Sequence, residues 1–190
     1  MKKIAVFASG SGSNAKKIIE DSRQPGSGYT VALVACNNPL AGVTAIAREA
    51  GIPLLLLERG AFVHNQMYIN DLRDAAIDWI VLAGFLWKLP PYLVEAYPGR
   101  ILNIHPALLP KYGGKGMYGH HVHEAVLQNR ETESGITIHY VDEQYDHGAP
   151  VFQVACPVHP DDSPETLAKR IQALEHEHYP RIIRELVNKS

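Results

Sequence analysis

Short, uninterrupted apolar runs alternate with amphipathic segments over roughly the first half of the chain. The apolar runs predict strands at residues 3–8, 29–36, 52–57 and 79–83, and a fifth strand that ends at Asn103. Apolar spacings of three and four residues predict helices up to residue 21 and at 41–50, 62–77 and 91–97. Strands that are apolar on both faces and separated by helices are typical of parallel sheets covered on both sides. The fold class predicted is therefore α/β, with an open, mostly parallel, Rossmann-like sheet and helices on both faces.

The second half of the chain is less regular. Residues 110–119 are rich in glycine and predict a mobile loop, and residues 120–128 have helical spacing. Residues 136–141 alternate in polarity as a strand does, and residues 150–158 are its expected partner. Ser163 is suited to cap a last helix that runs to about residue 187.

Composition narrows the classes of partner. The chain has 190 residues and a formal net charge of -2, which provides no basic field for nucleic acid. The first apolar run is too short for a signal peptide, and none has the length of a membrane span. Cys36 and Cys156 lie in apolar stretches and are interpreted as reduced core thiols. These features predict a cytoplasmic protein with no nucleic-acid or membrane partner.

A G-x-G-x-x-A motif at residues 10–15 follows the first strand and opens a helix. This spacing fits the dinucleotide fingerprint, so a Rossmann oxidoreductase is an alternative. That fingerprint expects an acidic residue after the second strand, but residues 36–39 read C-N-N-P. Ser11, Ser13 and Asn14 add side-chain donors to the backbone N–H groups of the helix start. Such a loop is suited to a terminal phosphate monoester, and a serine-rich capped turn without a ligand is the less favoured alternative.

Asn103 and His105 flank Ile104 at the end of the fifth strand, immediately before Pro106. Residues two apart on a strand project to the same side, so an amide and an imidazole are expected side by side. Ligands of open α/β sheets bind beyond the carboxyl ends of the strands. That rule places this pair, the loop at 9–14 and the loop at 84–89 along one edge. Taken alone, the pair is more readily explained as a polar strand end whose side chains satisfy the loop backbone and have no catalytic role.

Several collinear motifs together closely resemble the folate-dependent phosphoribosylglycinamide formyltransferases. They are S-G-S-G-S-N at 9–14, L-A-G-F at 82–85, L-N-I-H-P-A-L-L-P at 102–110, D-E-x-x-D-x-G at 142–148 and E-H-x-x-Y-P at 175–180. The resemblance covers nearly the whole chain and implies one formyltransferase domain over residues 1–190. Residues 1–105 would form its nucleotide-binding half and residues 106–190 its folate and catalytic half.

The resemblance implies transfer of a formyl group from 10-formyltetrahydrofolate, the co-substrate, to the amine of 5-phosphoribosylglycinamide in purine biosynthesis. Asn103, His105 and Asp146 would be catalytic. The ribonucleotide phosphate and glycinamide would be held by Ser11, Gly12, Ser13, Asn14, Gln172 and Glu175. Formylfolate would be held by Leu86, Trp87, Lys88, Leu89, Asn103 and Asp142. The expected partners are these two small molecules, with the protein a monomer or a homodimer.

Two features depart from the family pattern. Asn65 aligns with an arginine that meets the folate in better-known bacterial members, and Lys88 or another base is the expected replacement. The loop at 113–119 is longer than in those members. A methionyl-tRNA formyltransferase would need an added basic domain, and a formyltetrahydrofolate hydrolase usually has an added regulatory domain. A phosphate- or nucleotide-binding module with an inactive site is the non-catalytic alternative.

Histidines near residue 120 also have the spacing of metal ligands. His120 lies four residues before Glu124 and His121 three, and His120 and His123 are also three apart. Spacings of three and four place ligands on one face of a helix. Their position at the end of a glycine-rich loop favours solvated surface or substrate-loop histidines. No metal is therefore predicted.

Overall fold

The computed structural model of the chain describes residues 1–189. Seven strands form one sheet in the order β3-β2-β1-β4-β5-β6-β7. Strands β1 to β5 are parallel, whereas β6 pairs antiparallel with both β5 and β7. The strands are β1 (Lys2–Ala8), β2 (Tyr29–Cys36), β3 (Leu54–Leu56), β4 (Trp79–Leu82), β5 (Ile101–His105), β6 (Glu133–Tyr140) and β7 (Pro150–Pro157). The predicted open, mostly parallel sheet is confirmed.

Helices cover both faces of this sheet. They are α1 (Ser13–Ser22), α2 (Gly42–Glu49), α3 (Arg59–His64), α4 (Met67–Asp74), α5 (Pro91–Ala96), α6 (His120–Gln128) and α7 (Pro164–Val187). One core cluster packs α1, α2, α6 and α7 against one face, through side chains such as Ile18, Val43 and Ile171. The other packs α3, α4 and α5 against the opposite face, through Phe62 and Leu93 among others. The α/β class follows from this three-layer arrangement.

The single helix predicted at 62–77 is wrong, because the chain breaks at Asn65 into α3 and α4. Asn65 has extended backbone angles, φ -123 and ψ 125. Its side-chain oxygen accepts the N–H of Met67, 3.1 Å away. Asparagine competes for backbone donors in this way, which ends one helix and starts the next. The apolar periodicity continues across the break, so the sequence pattern concealed it.

Several strand boundaries also differ from the predictions, such as those of β3 (Leu54–Leu56, predicted at 52–57), β5 and β6. β5 continues through His105, because antiparallel pairing opposes His105 to Thr137 on β6. β6 begins at Glu133, where it opposes Pro157 on β7, three residues before the alternating pattern starts. The last helix is capped as predicted, since Ser163 and Thr166 form a reciprocal capping box. The strand register therefore extends elements beyond their local sequence signal.

Cys36 and Cys156 are both buried and free, as predicted for core thiols. Among residues 1–189, no helix has the length and apolar character needed to cross a membrane.

Candidate functional site

A cavity of about 760 Å³ lies beyond the carboxyl ends of the parallel strands. Its walls come from the loops after β1, β4 and β5, from residues 114–119, from residues 142–146 and from α7. The loops predicted to lie along one edge of the sheet therefore do surround a common space. Chain segments from both sides of residue 105 contribute to it.

Asn103, His105 and Asp146 meet on one wall of this cavity. The Nδ2 of Asn103 lies 3.4 Å from Oδ1 of Asp146, and the Nδ1 of His105 lies 3.5 Å from its Oδ2. The backbone N–H of Gly114 donates to the same Oδ2 at 2.9 Å. Asp146 has a φ of 52°, a left-handed conformation within the loop between β6 and β7. This turn directs the carboxylate back towards the end of β5.

The Asp146 carboxyl is surrounded by donors. Burial opposes its ionisation, but the neighbouring rings of His139 and His105 and the Gly114 N–H outweigh this and lower the pKa of Asp146. The group is therefore a carboxylate at neutral pH.

His105 is buried, and both of its ring nitrogens face acceptors. Nε2 lies 2.6 Å from the carbonyl oxygen of Tyr112, so it carries a proton and donates. Burial lowers the pKa of His105, although the charge of Asp146 and the Tyr112 carbonyl act in the opposite direction. The neutral ring has an unprotonated Nδ1 turned towards Asp146. Because Nδ1 lies 3.5 Å from Asp146, beyond normal hydrogen-bond length, it is free to accept a hydrogen bond from a substrate.

The position of His139 on a strand predicts a hydrogen-bonded core residue or one that supports the site, and it is buried beside the three predicted catalytic residues. Antiparallel pairing places it directly opposite Asn103. Its Nδ1 lies 2.7 Å from the Tyr140 carbonyl and donates to it, which leaves Nε2 to accept from Nδ2 of Asn103 at 3.2 Å. The second Nδ2 hydrogen of Asn103 faces Asp146. Two acceptors thus fix which end of the Asn103 amide carries the donors.

The loop at 9–14 approaches α2 closely. Gly12 has a φ of 79°, and a β-carbon there would lie 2.8 Å from the α-carbon of Val43. The carbonyl of Gly10 accepts the N–H of Val43. Only glycine fits at position 12, and it turns the chain into α1, whose first-turn N–H groups have no acceptor within the helix.

Helix α7 supplies partners for this loop from the far end of the sequence. Gln172 donates through Nε2 to Oγ of Ser13 at 3.1 Å. Asn14 donates through Nδ2 to Oε2 of Glu175 at 2.8 Å. Burial raises the pKa of Glu175, and the Asn14 hydrogen bond opposes this only in part. The predicted acceptor-binding residues from both ends of the chain are therefore in mutual contact.

The segment after β4 forms an apolar wall of the cavity. Leu86 of this segment lines the cavity and remains 51% exposed. Two tyrosines from other loops line it as well, Tyr118 (49% exposed) and Tyr145 (44% exposed). The Leu86 N–H donates to Oγ of Ser9 at 2.9 Å, which ties this wall to the end of β1. Leu89 is buried at its base. Large exposed apolar side chains around a cavity are typical of a binding site for a ring system.

Trp87 and Lys88 meet different neighbours on that wall. Trp87 packs against Phe62, with ring centroids 5.6 Å apart. The guanidinium carbon of Arg59 lies 6.0 Å from the ring centroid of Trp87. Lys88 is exposed, and its Nζ lies 5.8 Å from the ring centroid of Tyr145. Asn65 does not line the cavity, whereas Lys88 does. A basic side chain therefore does line the cavity, from the segment after β4 and not from residue 65.

Asp142 closes the cavity next to Tyr145. Its Oδ2 pairs with Nδ1 of His147 at 2.8 Å, and its Oδ1 accepts the N–H of Gln144 at 2.8 Å. Burial works against ionisation, but these two contacts prevail and lower the pKa of Asp142. The side chain is a fixed anion at the edge of the cavity.

The histidines near residue 120 separate into two environments. His120, His121 and Glu124 could offer ligand atoms within 4.8 Å of one another, but the two histidines are exposed. Of the two expectations for His123, a solvated surface side chain is wrong, because it is 5% exposed. It lines the cavity, which is compatible with the other expectation, a histidine next to substrate. It projects inward because Val122, His123 and Val126 form the buried side of α6. The mostly polar residues around His123 in the sequence did not indicate that its side chain would be buried.

Comparison with known proteins identifies the family. Residues 2–183 match the Formyl transferase family. The chain is 43% identical over 187 residues to the chloroplastic phosphoribosylglycinamide formyltransferase of Arabidopsis thaliana, covering 96% of this chain and 64% of that protein. It is 37% identical over 191 residues to phosphoribosylglycinamide formyltransferase of Bacillus subtilis (strain 168), covering 98% of this chain and 95% of that protein. The chain thus spans less than two thirds of the plant relative's length and nearly all of the bacterial relative's.

Solved structures agree with this assignment. The crystal structure of phosphoribosylglycinamide formyltransferase from Bacillus halodurans superposes with a TM-score of 0.91 at 36% sequence identity, covering 99% of this chain and 96% of that chain. The glycinamide ribonucleotide transformylase 1 structure from Geobacillus kaustophilus has a TM-score of 0.90 at 36% identity, covering 98% of each chain. The family resemblance inferred from the motifs is confirmed. The chain belongs to the formyl transferase family.

Proposed function

We propose that the protein transfers the formyl group of 10-formyltetrahydrofolate to the amine of 5-phosphoribosylglycinamide, giving formylglycinamide ribonucleotide and tetrahydrofolate in purine biosynthesis. One observation carries the proposal. A single cavity joins the wall formed by Asn103, His105 and Asp146 to a phosphate-type loop and to an exposed apolar rim. A transferase of this kind needs all three, because an anionic acceptor and an apolar donor must meet at one reacting centre.

The acceptor would bind at the end of α1. Its phosphate would accept from the N–H groups and side chains of Ser11, Gly12, Ser13 and Asn14, where the helix dipole also favours an anion. Gln172 and Glu175 would contact the ribose and glycinamide, since they already contact this loop. The amine would then extend from the loop towards Asn103.

The formylfolate would bind against the wall at 86–89. Its ring system would pack on Leu86 and Trp87 and hydrogen-bond to backbone groups of this segment and to Asp142. Lys88 would pair with the carboxylates of the folate tail, because it is an exposed cation at the cavity. Leu89 would support the ring from below. This arrangement presents the formyl group to Asn103.

The chemistry needs an oxyanion donor and a proton carrier. The amine nitrogen forms a bond to the formyl carbon, the carbonyl oxygen becomes an oxyanion, and the bond to the folate nitrogen then breaks as that nitrogen takes a proton. Asn103 would donate an N–H to the oxyanion, which competes with Asp146 for that hydrogen. Such a donor typically contributes ~10²–10³ in rate.

A protonated His105 would have only its Nδ1–H free to reach the oxyanion, because its Nε2–H is directed at Tyr112. The geometry favours a different role for the ring. Unprotonated Nδ1 takes the proton released by the attacking amine, Asp146 stabilises the resulting imidazolium, and the proton passes to the leaving nitrogen directly or through water. General acid–base transfer of this kind typically contributes ~10²–10⁴ in rate.

The test is a spectrophotometric assay with both substrates and purified protein. We expect formyl loss from the folate that depends on the acceptor, and a fall in kcat of roughly 10² or more in Asn103→Ala and Asp146→Ala. Glu143→Ala, an exposed neighbour in the same loop as Asp146, is the control and should retain turnover. Near-normal turnover in both catalytic variants would show that the assignment is wrong.

Two other outcomes would change the proposal. Folate deformylation without acceptor would identify a hydrolase. A binding module would be identified if the protein is folded, as shown by cooperative unfolding, and the ribonucleotide raises its Tm, but no reaction occurs.

The proposal extends to the setting of the reaction. We propose a single domain over residues 1–190 that acts in the cytoplasm as a monomer or a homodimer. Its two small-molecule substrates are its partners, and the reaction uses no metal, since the groups named above supply the hydrogen bonds and the proton transfer.

A further inference from the structure

We propose that Glu131 is a positioning residue, which fixes the ring of His105 by holding Tyr112 in place. The inference rests on the proposed function, because His105 acts there as the proton carrier. Glu131 lies after α6, 26 positions from His105 by number, and has no direct contact with that ring among the contacts of residues 1–189. Its effect would pass through one side chain and one carbonyl.

The starting point is the hydrogen bond from Nε2 of His105 to the Tyr112 carbonyl, at 2.6 Å. It is the shortest contact of the ring and decides which nitrogen carries the proton in the neutral state. The carbonyl can hold this direction only while the Tyr112 backbone keeps its conformation. Tyr112 has a φ of 57°, in a region that L side chains rarely adopt. Its neighbours must therefore hold it there.

Glu131 supplies that restraint. The Tyr112 hydroxyl donates to Oε1 of Glu131 at 2.9 Å. The Nζ of Lys111, the preceding residue, lies 3.0 Å and 3.2 Å from the two carboxylate oxygens. The hydrogen bonds from Lys111 and then Tyr112 lower the pKa of Glu131, so the acceptor is a carboxylate. Two consecutive residues of the segment after Pro110 are thus attached to one anion.

The anchor is itself fixed. The backbone N–H of Glu131 donates to the Val126 carbonyl at 3.2 Å, and Arg130 before it turns through a φ of 53°. These features hold Glu131 against the end of α6. Two hydrogen bonds therefore connect the end of α6 to His105: one from the Tyr112 hydroxyl to Glu131 and one from Nε2 of His105 to the Tyr112 carbonyl.

Loss of the anchor releases the ring. With Tyr112 free to leave the left-handed region, its carbonyl turns away and Nε2–H loses its acceptor. The neutral ring then gains from moving its proton to Nδ1, which can donate to Asp146. A proton on Nδ1 blocks the nitrogen that accepts from the attacking amine. The predicted defect is therefore in kcat, with the KM for both substrates little changed.

The experiment combines kinetics with ¹⁵N NMR of the histidine rings in full-length protein. In the wild type we expect the His105 resonances of a ring protonated at Nε2. Glu131→Ala and Tyr112→Phe should each show a mixture of the two tautomers and a roughly tenfold lower kcat. Because both changes break the same link, the double variant should be no worse than either single variant.

Two further variants separate positioning from a general loss of stability. Glu131→Gln keeps an oxygen acceptor for the Tyr112 hydroxyl, so it should retain the Nε2–H tautomer and most of the kcat. Glu133→Ala, an exposed residue two positions away on β6, is the matched control and should behave as the wild type. Thermal unfolding checks that each variant is folded.

The inference is overturned if Glu131→Ala keeps both the wild-type kcat and a ring protonated only at Nε2. It is also overturned if Glu131→Gln is as defective as Glu131→Ala, since the hydroxyl contact would then not matter. Failure of the proposed function has a different signature. In that case no variant, nor the wild type, transfers a formyl group, while the NMR comparison still decides whether Glu131 sets the tautomer.

Discussion

Substitution of Gly12 by alanine tests the construction of the loop at 9–14, which we propose to hold the phosphate. Two separate costs meet at this position. The φ of 79° is left-handed, which costs an L residue about 1–2 kcal/mol. The new β-carbon would lie 2.8 Å from both the α- and β-carbons of Val43, and overpacking of this kind costs about 1–3 kcal/mol. The free energy of unfolding should therefore fall by about 2–5 kcal/mol in Gly12→Ala.

Two other glycines separate these contributions. Gly99 also has a positive φ, 65°, but a β-carbon there would meet no atom within 4 Å, so Gly99→Ala should lose only about 1–2 kcal/mol. At Gly10, φ lies outside the left-handed region and the space is open. Gly10→Ala should therefore leave the stability unchanged or raise it by about 0.4–1 kcal/mol.

Urea and thermal unfolding of the three variants give the comparison. At about 2–4 °C per kcal/mol for a chain of this size, Gly12→Ala should lower Tm by roughly 4–20 °C. The displaced loop should also raise the KM for the ribonucleotide more than the KM for the folate. If Gly12→Ala were no less stable than Gly99→Ala, the close contact with α2 would not exist and the argument would fail.

Three further predictions concern other parts of the molecule. The hydroxyl of buried Tyr179 lies 2.8 Å from the Leu82 carbonyl and 3.3 Å from the Leu102 carbonyl, so Tyr179→Phe should cost about 1–3 kcal/mol in urea unfolding, and an unchanged midpoint would contradict this role. Arg170 holds the pKa of Asp162 well below its ordinary value. A depressed pKa adds stability above the unfolded-state value of about 4, and this is lost as the pH falls towards the folded-state value, so Asp162→Asn should flatten the acid side of the stability curve. Retention of the wild-type slope would refute the assignment. Finally, dialysis against a chelator should leave formyl transfer unchanged, and loss of turnover that added Zn²⁺ restores would refute the prediction of no metal.

The elements of the α/β half could be predicted from the sequence because their signals are local. A strand buried on both faces must be apolar throughout, and a helix on its surface must be apolar every three or four residues. The same locality explains the error at Asn65, where a side-chain hydrogen bond two residues away ended a helix inside a continuous periodic pattern. Periodicity reports which face is buried and is insensitive to one break in the backbone.

The sequence by itself determined the strands of the parallel half, the glycine loop and the shared face of Asn103 and His105. Each of these depends on residues a few positions apart. Motif resemblance added Asp146 to this pair, but it carried no geometry. Only the tertiary structure decided that His139 lies beside Asn103, because that contact depends on the antiparallel register of β5 and β6. It also decided that Tyr112 orients His105, because that contact depends on a backbone conformation within an irregular loop. Such contacts join residues whose proximity depends on how whole elements pack, and no local pattern encodes it.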